Sequence, residues 1–242
     1  MQSDKPAAVS PLGLVASGLI FGAFSILLWA TLAIAIPLLK RSFGLPALIA
    51  WYISGTVAVL APILLFGVLR AWWELPRRNL KELARRLRVR PVQRGDLAWS
   101  VAVLLLIVLG SGMIFALARH YDPYFRPSPD FLRQPAGWHA WVLIAWIPLF
   151  ITNIVGEEIC WRGYVLPRQE AAWGRWAWLL NGGLWCLFHW SFGWRVMLLL
   201  LPIALLLPWI VQRRRNTSVG LLIHAIFNAA GFLAAVRGRS NL

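Results

Sequence analysis

Seven apolar runs separated by short basic connectors leave this chain few ways to fold. A membrane-crossing helix takes about 20 mostly apolar residues. Hydrocarbon offers no water to bond the backbone, so a run of that length satisfies its own N–H and C=O groups as a helix. The runs are 12–39, 46–69, 97–118, 139–157, 176–189, 196–211 and 219–236. They predict an all-α, polytopic transmembrane helix bundle of about seven spans, within limits of six and eight. The first run is longer than the roughly 7–15-residue apolar part of a cleaved signal peptide, which predicts a retained helix. The chain reads as one integral membrane domain in two stretches. Residues 1–96 supply the first helices and a basic connector, and residues 97–242 supply a bundle with polar residues inside it.

Lys and Arg number 24 against 9 Asp and Glu, a net charge of +15 in a chain that is 60% hydrophobic. A nucleic-acid binder needs a solvated basic face on a folded module, and no hydrophilic stretch here is long enough to build one. The bases belong instead to the membrane edges. Nine lie in the connector 70–94, and Lys5, Arg162, Arg168, Arg175, Arg213, Arg214 and Arg215 fall on the same side of a seven-span chain. The other side receives eight. Cytoplasmic loops carry the excess of bases, which predicts an N-terminus in the cytoplasm and a C-terminus outside. The connector also suits anionic lipid head groups, so the bilayer is one expected partner and nucleic acid is not. Trp72, Trp73, Trp138, Trp141, Trp173, Trp176, Trp194 and Trp209 lie near run ends, where indoles anchor at the interface. Cys160 and Cys186 sit in apolar context and read as small core residues.

The informative residues are the polar exceptions. An ionisable group inside a span costs roughly 2.5–3.5 kcal/mol and is a functional candidate with a partner to be named. Three places qualify: Glu157 and Glu158 with Arg162, then His189, then His224 with Asn228. Residues four apart in a helix are separated by about 40° net and share a face. His224 and Asn228 therefore project together, and Glu158 pairs with Arg162. Glu157, about 140° from Arg162, is the carboxylate left over. Two neighbouring carboxylates in unlike surroundings are how acid and base roles become separated, which makes Glu157 the expected general base and Glu158 a structural partner. Convergence of these groups at one depth predicts a continuous helix from about residue 141 to 166, with the fifth helix beginning later than drawn or tilting. Each cluster alone also reads as an interfacial ion pair, a core histidine or interhelical hydrogen-bonding glue.

Glu157-Glu158-Ile-Cys-Trp-Arg162, continuing Gly163-Tyr164-Val-Leu-Pro167-Arg168, resembles the EExxxR motif of the CPBP family, the type II CAAX prenyl endopeptidases and Abi-type membrane proteins. Trp185-Cys-Leu-Phe-His189 resembles the family's Phe-x-x-x-His motif, with Trp in the place of Phe, and His224-Ala-Ile-Phe-Asn228 its His-x-x-x-Asn motif. The likeness covers roughly 144–232. It implies an intramembrane protease in which Glu157 activates water with help from His189, while His224 and Asn228 stabilise the oxyanion. It leaves metal use open. Glu157, His189 and His224 form a His₂Glu set of the composition found in catalytic zinc sites, yet the His-Glu-x-x-His helix of soluble metalloproteases is absent. The expectation is no required cofactor, with a divalent metal such as zinc as the alternative. A compact basic chain of this kind is more similar to bacterial inner-membrane relatives. The expected substrate is a peptide or membrane-protein segment cut near the cytoplasmic face. The competing expectation is a non-catalytic scaffold or transport protein that keeps the polar cluster for packing.

Overall fold

A computed structural model describes residues 9–127, 129 and 140–236, and among them all regular structure is helical. We number the helices α1 (Leu14–Phe43), α2 (Ala47–Trp73), α3 (Leu80–Arg86), α4 (Arg94–Tyr121), α5 (140–173), α6 (Ala177–Phe188), α7 (Trp194–Arg214) and α8 (Thr217–Val236). Each of the seven apolar runs is a helix, and α3 is the short element of the basic connector. Among the described residues five apolar stretches are long enough to cross a membrane, and one of them, Ile144–Phe188, contains most of α5 together with α6. The protein is a helical integral membrane bundle. Residues 128 and 130–137 of the Pro-rich segment after α4, together with Lys5, Trp138, Arg237 and Arg239, lie outside the described residues.

Lipid tails are as apolar as leucine, so packing rather than dehydration joins the helices, and small residues let backbones approach. Gly67 and Gly156 do this between α2 and α5. A Cβ on Gly67 would lie 2.8 Å from the Cys160 Cα, and one on Gly156 would lie 2.9 Å from the Leu60 carbonyl oxygen. At the heart of the bundle Phe21 of α1 stacks on Trp161 of α5 with ring centroids 4.1 Å apart. Helix α5 packs against α2, α6 and α8, while α7 lies against α4, α6 and α8. The turn from α5 to α6 is made at Gly174, whose φ of +55° is the left-handed region that a side chain disfavours.

Three helices contain wide, π-helical turns: Thr31–Ala35 in α1, Thr56–Leu60 in α2 and Glu158–Val165 in α5. Each is followed, two residues on, by a proline: Pro37, Pro62 and Pro167. Proline lacks the N–H for the helical ladder, and its ring crowds the carbonyl four residues earlier. Those carbonyls belong to Ala33, Ala58 and Gly163, all inside the wide turns, where the ladder is opened to make room. Pro148, Pro202 and Pro208 lie in helix without such a turn. In α5 the wide turn has a directional effect. Tyr164 and Arg168 are spaced to fall within about 20° of Glu157, one to either side, on a regular α-helix. Here Glu157 bonds Trp185 of α6, whereas Tyr164 and Arg168 both bond Glu74 after α2.

Many of the basic residues of the connector and of the helix ends beside it are occupied. Arg86 and Arg168 both pair with Glu74, and Arg88 binds Glu170 through two bonds of 2.7 and 2.8 Å. Arg90 donates to the Arg214 carbonyl at 2.9 Å, and Arg214 reaches the buried Asp96 at 2.7 Å. Thr217 at the start of α8 donates its N–H to the Arg88 carbonyl at 2.8 Å. The connector thus ties α2, α4, α5, α7 and α8 together. Arg162 corrects the loop-by-loop count. It is fully buried inside the bundle, because α5 runs on past the end of its apolar run.

Candidate active site

The helix expected over about 141–166 exists and is longer, extending to Trp173 with the wide turn at its centre. This extension removes most of the depth mismatch. Glu157 lies 16 residues before the end of α5, and His189 lies 12 beyond the start of α6. At 1.5 Å per residue these are about 24 and 18 Å from the same end of the bundle. Helix α6 begins at Ala177, where the fifth run begins, so the expected later start is incorrect.

Glu157 is 1% exposed and takes part in no ion pair among the described residues. Asn153, one turn earlier in α5, donates to its Oε1 at 2.7 Å, and the indole N–H of Trp185 donates to its Oε2. Glu158 is 0% exposed, and its Oε1 meets His224 Nδ1 at 2.9 Å and Arg162 at 3.2 Å. The four-residue spacing thus pairs Glu158 with Arg162 and leaves Glu157 without a cation. The Arg162 guanidinium carbon lies 4.0 Å from the Trp185 ring centroid, an attractive cation–π contact. Helix α8 comes this close to Glu158 only because residue 220 has no side chain. A Cβ there would collide with Glu158 Oε2.

His224 and Asn228 share a face of α8 as their spacing requires. With Nδ1 turned to the Glu158 carboxylate, a neutral His224 keeps its proton on Nδ1 and leaves Nε2 as an acceptor. Asn228 Nδ2 faces that Nε2 at 3.3 Å and also donates to Asn153 Oδ1 at 2.6 Å. His189 is placed against the cluster but not on the carboxylate. Its Nδ1 donates to the Trp185 carbonyl at 2.8 Å, and its ring meets the Trp185 ring edge-on at 5.4 Å. Its Nε2 is then the free acceptor in the neutral form. The polar groups of α5, α6 and α8 thus form one connected site, in which Asn153 bridges the carboxylate of Glu157 to the amide of Asn228.

Two participants escaped the sequence reading. Asn153 had a signal, being an amide in an apolar run exactly one helical turn before Glu157. Gly220 lies one turn before His224, but nothing in the sequence marks it as the point of close approach. The His₂Glu set of Glu157, His189 and His224 does not present a metal geometry. Both Glu157 oxygens accept from N–H donors, and no three His, Cys, Asp or Glu side chains among the described residues are grouped to hold an ion. No step is therefore derived through a metal. Cys160 and Cys186 are buried free thiols.

No curated protein and no solved structure matches the chain. Residues 139–230, which contain Asn153, Glu157, Glu158, Arg162, Trp185, His189, His224 and Asn228, match the family model described as Type II CAAX prenyl endopeptidase Rce1-like. That matched segment carries the whole polar site, and over it the chain is similar to the type II CAAX prenyl endopeptidases.

Proposed function

We propose that the protein is an intramembrane endopeptidase that hydrolyses a peptide bond of a peptide or membrane-associated protein near the cytoplasmic face, with Glu157 as general base. The observation that carries this reading is the state of Glu157. It is a buried carboxylate without an ion-pair partner among the described residues, oriented by two N–H donors and set beside a Glu158–His224–Asn228 chain. A carboxylate has about four acceptor positions, so two remain for the attacking water. Glu157 takes a proton from that water as its oxygen bonds to the scissile carbonyl carbon, and His189 Nε2 helps to orient it. The carbonyl oxygen becomes an oxyanion, and a donor aimed at that charge contributes about a hundred- to a thousandfold in rate. When His224 takes up a second proton from solvent on Nε2, it changes from acceptor to donor and releases the facing N–H of Asn228. Both groups then point at the oxyanion. The C–N bond breaks as the proton held by Glu157 passes to the leaving amine. Arg162 and Glu158 hold His224 in place.

The basic end of the bundle supports a cytoplasmic placement for the connector and the N-terminus. The deciding experiment uses the full chain in proteoliposomes with a peptide library and ¹⁸O-labelled water. Wild-type protein should place one ¹⁸O in each new carboxyl, and Glu157→Gln should release no product while keeping its melting temperature. A wild type that cleaves nothing, with a Glu157→Ala variant that loses assembly with another membrane protein, would indicate a scaffold instead. Substrates retained on Glu157→Gln in native membranes and identified by mass spectrometry name the natural target.

A further inference from the structure

Trp185 touches four other members of the site. Its N–H donates to Glu157, its carbonyl accepts from His189, its ring carries Arg162 on one face, and His224 meets it edge-on at 5.4 Å. A hydrogen-bond donor is aimed only as well as the ring that bears it is fixed, and this ring is fixed from several sides. The side chain is 2% exposed, and the indole nitrogen is a donor only. Left without the carboxylate it would be a buried, unpaired N–H. On the opposite oxygen, Asn153 supplies the second donor from the turn of α5 that precedes Glu157. Asn153 is itself held by Asn228 at 2.6 Å. Phenylalanine at 185 keeps the ring packing and removes the N–H.

Resting on the protease reading above, we propose that Trp185 and Asn153 are positioning residues that clamp the two oxygens of Glu157 from opposite sides. The clamp fixes the plane of the carboxylate, so that its remaining acceptor positions face the water. Because Asn153 also holds Asn228, the same clamp sets the distance between base and oxyanion donor. The ring nitrogen of Trp185 takes no part in bond making. It acts through Glu157.

The test replaces Trp185 by benzothienylalanine, which keeps the bicyclic shape and exchanges only the N–H for sulfur, and compares it with Trp185→Phe and Asn153→Ala. Loss of a hydrogen bond to a charged group is worth about ten- to a hundredfold in rate. The expected result is that fall in kcat with KM unchanged within about twofold. Infrared difference spectra of wild type against Glu157→Gln give the carboxylate stretch of Glu157 without any turnover. That band should shift in the sulfur variant. A sulfur variant with wild-type kcat, or with an unshifted carboxylate band, overturns the clamp, and a KM increase at constant kcat assigns Trp185 to substrate binding instead. If Glu157→Gln retains full activity, the protease reading itself fails, an outcome distinct from failure of the clamp.

Discussion

Replacing Gly220 by Ala adds one methyl group to α8, and its landing place is known. The new Cβ collides with Glu158 Oε2 and lies 3.0 Å from Val211 Cγ2 and 3.2 Å from the Glu158 carboxyl carbon. Helix propensity alone favours Ala over Gly by up to about 1 kcal/mol. Forcing a methyl into a packed interior costs about 1–3 kcal/mol. Here the neighbour cannot simply swing away, because the carboxylate is fully buried and its other oxygen is tied to His224 and Arg162. Breaking a buried pair outright costs about 3–5 kcal/mol, and partial loosening adds a share of that. The net expectation is a loss of about 2–3 kcal/mol, which at this chain length lowers the melting temperature by roughly 4–12 °C. Thermal unfolding in detergent measures it. Gly183→Ala in α6 is the control, since a Cβ there meets nothing within 4 Å. A Gly220→Ala protein that melts at or above the control would show that α8 does not depend on the missing side chain.

Burial pulls the Glu74 carboxyl upward, but Arg86, Arg168 and Tyr164 together outweigh it and hold the group below its ordinary value. Such a carboxyl stabilises the fold above that ordinary value, 4.5, and loses its contribution as pH falls through the lower folded value. Wild-type melting temperature should therefore drop as pH is lowered from 4.5, and Glu74→Gln should show a flatter profile. Superimposable profiles would exclude the cluster as the cause. Asp96 is fully buried and accepts from Arg214 at 2.7 Å, Asn216 at 3.2 Å and the Gln93 N–H at 3.1 Å. Asp96→Ala strands these donors and should cost about 1–3 kcal/mol, read as a lower denaturation midpoint, and an unmoved midpoint would show the contact to be idle. Hydrolysis by purified protein should survive exhaustive chelation, since both Glu157 oxygens are bonded to N–H groups. Total loss restored by zinc would reverse that expectation.

The membrane makes the fold legible, because it demands long apolar runs, and each run became a helix. It also makes the core of the site legible, because Glu157, Glu158, His189 and His224 stand out against apolar surroundings. What stayed hidden depends on angles and distances that composition does not carry. Asn153 is an uncharged amide, tolerated in any span, until Glu157 and Asn228 are seen to meet on it. Trp185 reads as one aromatic exchanged for another, and only its N–H direction separates it from Phe. The connector arginines read as topology signals, yet Arg86, Arg88 and Arg90 are engaged with groups on or beside α2, α5 and α7. Arg162 counts as a loop charge until α5 is known to continue beyond it.

The wide turn of α5 makes the spacing between Glu157 and Pro167 a fixed length. Closing the turn at unchanged length, as replacing Pro167 by a residue with an N–H would allow, would swing the downstream half of the helix back toward regular register. Tyr164 and Arg168 would then rotate toward the face of Glu157, bringing a guanidinium to the one carboxylate among the described residues that has no ion pair and abandoning Glu74 at the basic end. Losing the wide turn together with one residue of 158–165 would instead leave Tyr164 and Arg168 about 240° and 280° around a regular helix from Glu157, close to where they now point. Aligned relatives that lack the proline five residues after the motif arginine should therefore be one residue shorter across this segment.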